Sequence, residues 1–242
     1  MLIESALDKL SNSLRIHCEN MVDFHRLKLI DVEEAITNLD RSFDSILEAF
    51  HSLYDVSKKI VRYFEKAETA FLIMLRNAIH HKNHTLFNSW NAEMHLNGGL
   101  QKYAGAKFLL CDYQPLDCDS HIAKYYYCLE DVYERLDDKR ASEYLDTFLK
   151  ENIRNVQLSL FKDELSFNEI ERYARAERYP LKQVYINVMP ILNCALKYTF
   201  EKLHELGIKA KGYDANVYFE LFRVDCFFDL KQVIYEPISL NF

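Results

Sequence analysis

Apolar residues recur at helical spacing through the first third of the chain. Between residues 4 and 53, apolar and polar positions alternate with the period of an amphipathic helix. One or two long helices are predicted there, with a break near Asn38–Asp40. A third helix is predicted from a cap at Asp55 to about Lys82. The apolar stripe of this third helix comprises Ile60, Phe64, Ala67, Phe71, Met74 and Ala78.

The rest of the chain is also predicted to be helical, in shorter segments. "HLNGGLQ" (95–101) interrupts the pattern, a short helix follows to about Leu110, and 111–120 is a predicted loop. The next helices are predicted at Ser120–Leu136, at Arg140–Phe161, and after the capping box of Ser166 and Glu169 until Pro180. A last long helix is predicted at Leu181–Leu206, interrupted or kinked at Pro190 and closed by Gly207. The aromatic tail 217–235, before Pro237, is predicted to be a helix with a strand as the alternative.

Turn-forming residues are scarce, which favours helices over sheets. The chain of 242 residues has five Gly and four Pro, and its first 97 residues contain neither. The predicted fold class is therefore all-α. Two regions are predicted, a helical bundle over 1–110 and a C-terminal helical region over 111–242.

Charge is distributed unevenly along the chain. The net charge is −7, which argues against a general nucleic-acid coat protein. Residues 58–84 nevertheless contain six Lys or Arg against two Glu, so the third predicted helix carries a local basic patch. Six scattered cysteines are expected to be reduced thiols. With no signal peptide or membrane-spanning run in the sequence, a cytoplasmic protein is expected.

The stretch "LRNAIHHKNH" (75–84) is the most distinctive source of chemistry in the sequence. On a helical wheel, its polar residues share an arc that faces away from the apolar stripe. They are Arg76, Asn77, His80, His81 and His84. The arc belongs to one helix face, so a site there needs a second surface. The alternative interpretation is an ordinary polar face, with His and Lys complementing the helix dipole near its end.

Within this stretch, Arg76, a polar residue at Asn77 and His81 after four intervening residues form the pattern Arg-x(4)-His. It resembles the Arg-x(4–6)-His signature of the HEPN superfamily, whose helical bundles carry the signature late in the domain. The resemblance covers at most residues 1–110, and its motif is six residues long.

The HEPN resemblance implies a metal-independent endoribonuclease without a cofactor. The ribose 2′-OH attacks the adjacent phosphate, which needs a proton-transfer group and a fixed cation. In that assignment Arg76 stabilises the phosphate, His81 is the acid/base and Asn77 orients them. His80, Lys82 and His84 are auxiliary or RNA-contacting candidates. The resemblance further implies a homodimer whose two motifs line one cleft, in toxin–antitoxin or antiviral systems, with an antitoxin or sensor as a further partner.

Two metal centres are weaker alternatives. Glu48 with His51 and Glu201 with His204, together with Glu19 and Glu171 upstream, have the spacing of di-iron ligands, but they fall opposite the apolar stripes of their helices. A zinc site from Cys111, Cys118, His121 and Cys128 lacks the short Cys-x2-Cys pair. No metal is therefore expected.

A non-catalytic function also fits the sequence. The chain outside residues 58–84 is acidic and suits protein partners better than RNA. The rival hypothesis is therefore an all-helical protein-interaction module, either a degenerate HEPN domain or an unrelated bundle.

Overall fold

Two structural units, each assembled from two separate stretches of chain, make up the computed structural model. It describes residues 2–80, 86–96, 98–116, 123–224 and 228–240. Unit 1 comprises Met1–Asn77 and Leu192–Phe227, and unit 2 comprises Ala78–Ile191 and Phe228–Phe242. Within the described ranges, no helix is both long enough and apolar enough to cross a membrane.

Unit 1 begins with two long antiparallel helices, α1 (Leu2–Lys28) and α2 (Val32–Ser57). A buried pair, His17 of α1 and Ser42 of α2, joins them at 2.8 Å between Nδ1 and Oγ. The chain reverses just before Asp31, whose side chain accepts a hydrogen bond from the Glu34 backbone N–H at 2.9 Å and caps α2. The predicted break near Asn38–Asp40 is wrong, because apolar residues continue the α2 core through that region.

A 3-10 turn at Tyr63–Glu65 separates α2 from α3 (Ala67–His80). The single helix predicted from Asp55 to Lys82 is therefore wrong at its start, since Asp55 lies inside α2. The turn is fixed by the buried Tyr63, whose hydroxyl is 2.7 Å from Ser57 Oγ. As a result, Ile60 and Phe64 are exposed instead of lying in the core.

The C-terminal stretch of unit 1 supplies most of α9 (Val188–Glu205) and all of α10 (Tyr213–Val224). Gly207 follows α9 with φ 73°, as predicted for a helix stop. Pro190 lies in the first turn of α9, where a missing N–H costs nothing, so the interruption or kink predicted at Pro190 is wrong. Helix α10 packs on α1, where Arg15 Nε donates to Asp214 Oδ2 at 2.9 Å.

Unit 2 contains a four-stranded mixed sheet, so the predicted all-α fold class is wrong. Its order is β2–β3–β1–β4, with β3 parallel to β1 and antiparallel to β2, and with β4 antiparallel to β1. The strands are β1 (Lys107–Pro115), β2 (Tyr126–Cys128), β3 (Val184–Asn187) and β4 (Phe228–Ser239). Strands β2 and β3 are short, fully buried runs, which helical and strand periods fit equally well.

The helices of unit 2 are shorter than predicted. They are α4 (Trp90–His95), α5 (Gly99–Lys102), α6 (Leu129–Leu136), α7 (Glu151–Glu164) and α8 (Phe167–Ala176), with 3-10 turns at Asp138–Arg140 and Leu181–Gln183. A helix does begin after Ser166, as predicted. Ser166 does not cap it, because its φ is 57° and its hydroxyl donates to the Leu230 carbonyl at 2.8 Å.

Strands replace several predicted helices and part of the predicted loop. The helix to Leu110 and the first half of the loop after it are wrong, because β1 occupies Lys107–Pro115. Residues 117–120 of the predicted loop lie outside the described residues. The tail contains both predicted structures, because the helix α10 ends at Val224 and the strand β4 begins at Phe228. Pro237 lies within β4. The predicted division between residues 110 and 111 falls inside β1, and the assignment of 1–110 and 111–242 as domains stays a prediction.

Candidate functional site

Arg76 lies near the end of α3 and pairs with α2. Its Nη2 donates to Glu48 Oε2 at 3.0 Å, and its side chain is only 19% exposed. The outward arc predicted for Arg76 is therefore wrong, because the guanidinium is half buried against the neighbouring helix. Helix α2 of the same unit therefore provides part of the second surface that a site on α3 needs.

The local sequence explains this position. Nearly every α3 side chain from Ala67 to Leu75 is buried, so Arg76 is the first cation after an apolar segment. Partial burial of a guanidinium is tolerated only with an anionic partner and hydrogen bonds. Glu48 fulfils this requirement, and its own side chain remains 43% exposed.

Asn77 lies beside the guanidinium, with Arg76 Nη1 3.4 Å from its Oδ1. The Nε of Arg76 is buried and has no hydrogen-bond partner among the described residues. A planar guanidinium is suited to binding a tetrahedral oxyanion such as phosphate.

His51 lies one turn after Glu48 on α2 and belongs to the same cluster. Its Nδ1 is 3.4 Å from Asp55 Oδ2. Burial, together with the positive charge of Arg76, lowers the pKa of His51 below its ordinary value of 6.5, although Asp55 and Glu48 oppose this effect. A half-buried imidazole beside a carboxylate and a guanidinium is neutral near pH 7 and can accept a proton.

Sequence reasoning missed His51 as a partner of Arg76. Glu48 and His51 were considered as metal ligands and rejected, because they lie opposite the apolar stripe of their own helix. The available signal was the spacing of four polar residues along one face of α2. They are Glu48, His51, Asp55 and Lys58.

The other predicted site residues lie at or beyond the end of α3. His80 is the last residue of α3, and its side chain is exposed. His81, Lys82 and His84 lie outside the described residues. The structure thus brings Arg76 and Asn77 together with Glu48 and His51, and the assignment of His81 stays a prediction.

The residues considered above as di-iron or zinc ligands have other partners in the structure. Glu201 is 3.6 Å from Lys197, Glu19 binds Arg15 at 2.7 Å, and Glu171 is 3.8 Å from Lys162. Cys111 and Cys128 are buried thiols whose pKa is raised by burial, whereas Cys118 and His121 lie outside the described residues. Over the part of the chain that the structure describes, no group of three or more His, Cys, Asp or Glu side chains is arranged to hold a metal ion.

Unit 2 holds two half-buried carboxyl groups that sequence reasoning also missed. Both Asp112 oxygens accept hydrogen bonds from Asn187 Nδ2 at 3.2 Å, just beyond the last paired residues of the parallel strands β1 and β3. Asp131 accepts a hydrogen bond from the Phe87 N–H at 2.7 Å, and burial raises the pKa of Asp131 to about 7. Amide and backbone donors bind these carboxyls, which is the pattern of a structural anchor.

Comparison with known proteins gives no match to a family model, to a curated protein or to a solved structure. The functional argument therefore rests on the residues of unit 1 and on the motif.

Proposed function

We propose that this protein is a metal-independent endoribonuclease of HEPN type. The observation that carries the proposal is the cluster of Arg76, Glu48 and His51, in which a half-buried guanidinium lies beside an imidazole that a carboxylate orients. Cleavage of RNA through its own 2′-OH needs these two groups, a fixed cation for the phosphorane and a proton-transfer group.

In the proposed reaction, the 2′-oxygen attacks the adjacent phosphorus and forms a new P–O bond. His51, or His81 as the resemblance assigns, accepts the 2′-OH proton. The P–O5′ bond breaks, and the second histidine donates a proton to the leaving 5′-oxygen. The products are a 2′,3′-cyclic phosphate and a 5′-OH end. Arg76 stabilises the charge on the phosphorane, and Asn77 positions the guanidinium.

The oligomeric state and biological role in this proposal come from the resemblance. A homodimer brings two copies of the motif to one cleft. The activity then serves a toxin–antitoxin or antiviral system, with an antitoxin or sensor as the controlling partner.

The direct test is cleavage of single-stranded RNA by the purified protein in EDTA. The wild-type protein is expected to release 2′,3′-cyclic phosphate ends, and Arg76→Ala and His81→Ala are each expected to slow cleavage about 100-fold or more. The matched control is Arg26→Ala, which removes an exposed arginine paired with Asp23 on α1. Circular dichroism checks that each variant is folded.

Full activity of Arg76→Ala would overturn the assignment of the site. Intact RNA after incubation with the wild-type homodimer would leave the rival function, a non-catalytic protein-interaction module. In that case the Arg76–Glu48 pair is only a structural contact between α2 and α3.

A further inference from the structure

An open pocket of about 350 Å³ lies in unit 1, beside the turn that connects α2 to α3. Its rim carries two aromatic rings, Tyr54 and Phe64, whose centroids are 5.8 Å apart, and two cations, Lys58 and Arg62. Phe64 is 47% exposed. An aromatic side chain that faces solvent between two cations is unusual for a turn that serves only to connect helices.

Tyr54, which lines the pocket, lies next to His51 of the candidate site on α2. The ring centroids of His51 and Tyr54 are 5.4 Å apart, and Lys58 lies over the Tyr54 ring at 5.2 Å. Three residues of α2, roughly 4.5 Å along the axis, separate His51 from Tyr54. A chain bound at Arg76 and His51 can therefore place its next unit over the aromatic rings.

The cations of the pocket are available to an anionic ligand. Lys58 pairs with Asp55 at 3.0 Å, and Arg62 pairs with Glu65 at 2.7 Å. Both pairs are exposed, and exposed ion pairs contribute little to stability. A phosphate can replace either carboxylate at little cost.

We infer that this pocket binds an unpaired nucleobase of the RNA next to the scissile phosphate, with Phe64 stacking on the base and Lys58 and Arg62 contacting the flanking phosphates. The Tyr54 ring, which is at 84° to Phe64 and lies under Lys58, forms the wall of the pocket. This inference rests on the proposed ribonuclease function. Aromatic rings combined with cations bind single strands with little sequence preference, because every base has a stacking face. The substrate class is therefore single-stranded RNA or an RNA loop rather than a duplex.

The test measures binding separately from cleavage. The probe is a fluorescein-labelled single-stranded oligoribonucleotide with 2′-O-methyl groups at every ribose, which cannot undergo 2′-OH attack. Phe64→Ala is expected to weaken binding about tenfold, the loss typical of one stacked base. Phe148→Ala is the matched control, because Phe148 is an exposed phenylalanine of unit 2, and it is expected to bind like the wild type.

A second variant reports on stacking itself. Trp90 is the only tryptophan of the chain, so Phe64→Trp adds one new fluorophore at the pocket. We expect this variant to bind like the wild type and its added fluorescence to be quenched by the oligonucleotide. Replacing both Lys58 and Arg62 by Ala is expected to reduce the slope of log K against log salt by roughly 1.4, about 0.7 for each lost phosphate contact.

Three results would overturn the inference that this pocket binds a nucleobase. They are wild-type affinity in Phe64→Ala, an unquenched Phe64→Trp, and equal affinity for a duplex of the same sequence. If Arg76→Ala still abolishes cleavage in those cases, only the pocket fails and the ribonuclease stands. Loss of binding in the Lys58 and Arg62 double variant alone would indicate an electrostatic surface without a base pocket, which also contradicts the inference.

Discussion

Arg76 and Asn77 could be selected from the sequence, whereas their partners could not. A helical wheel compares positions on one helix, so it places Arg76 opposite the stripe of α3 but contains no information about α2. Glu48 pairs with Arg76 because a half-buried guanidinium requires an anion, and His51 follows one turn later. The motif therefore identifies the cation, and only tertiary structure identifies the groups that hold it.

The positive charge of Arg76 acts on His51 and predicts a coupled titration. Replacing Arg76 by Gln removes a positive charge that lowers the pKa of His51, so that pKa should rise towards its ordinary value. NMR titration of the His51 imidazole protons measures the change. Arg26→Gln, on the exposed surface of α1, is the control and should leave the His51 pKa unaltered. An unchanged His51 pKa in Arg76→Gln would mean that the two groups do not interact.

At the scale of elements, long amphipathic helices are predictable and short apolar runs are not. Helices α1 and α2 follow from the helical period of their apolar residues. The break between them lies at Asp31, which caps α2, and not near Asn38. Strand β3 is the four-residue segment "VYIN", buried along its whole length, so neither its length nor its pattern separates a strand from a helix. Its pairing with β1 is a long-range event that local periodicity does not encode.

The contact between α1 and α2 predicts a loss of stability in acid. Burial lowers the pKa of His17 to about 4. Below pH 6.5 the unfolded chain binds a proton that the folded chain excludes, so the free energy of unfolding should fall by about 1.4 kcal/mol per pH unit between about pH 6.5 and 4. Urea unfolding at several pH values measures this slope.

The control for this titration is a second histidine on the same helix. His17→Gln should have a shallower pH dependence than the wild type, whereas His25→Gln, which alters an exposed residue, should retain the wild-type slope. Equal slopes in the wild type and His17→Gln would show that His17 does not contribute to acid sensitivity.

At the scale of the whole molecule, the two units do not follow the order of the sequence. Unit 1 is completed by Leu192–Phe227, and unit 2 is completed by β4. A sequence pattern predicts a domain boundary at a single position of the chain. Breakers such as "NGG" mark local turns and carry no information about which distant segments pack together. A boundary between 110 and 111 divides the sheet within β1.

This arrangement predicts the behaviour of a fragment. Residues 1–110 lack α9 and α10, so the fragment should leave the apolar face of α1–α3 uncovered and should not unfold cooperatively. Thermal melting followed by circular dichroism compares it with the full chain, which should unfold cooperatively. A cooperative transition in the fragment would show that 1–110 is an independent domain, as the sequence suggested.

The interrupted course of unit 1 also affects the synthesis of the protein. Its first stretch ends at Asn77, and α10 ends at Val224. Helix α1, on which α10 packs, ends at Lys28. At ribosomal rates of roughly 5 to 20 residues per second, α1 therefore waits about 10 to 40 seconds for this partner. The nascent chain must keep the uncovered face of α1 from aggregating until translation is nearly complete.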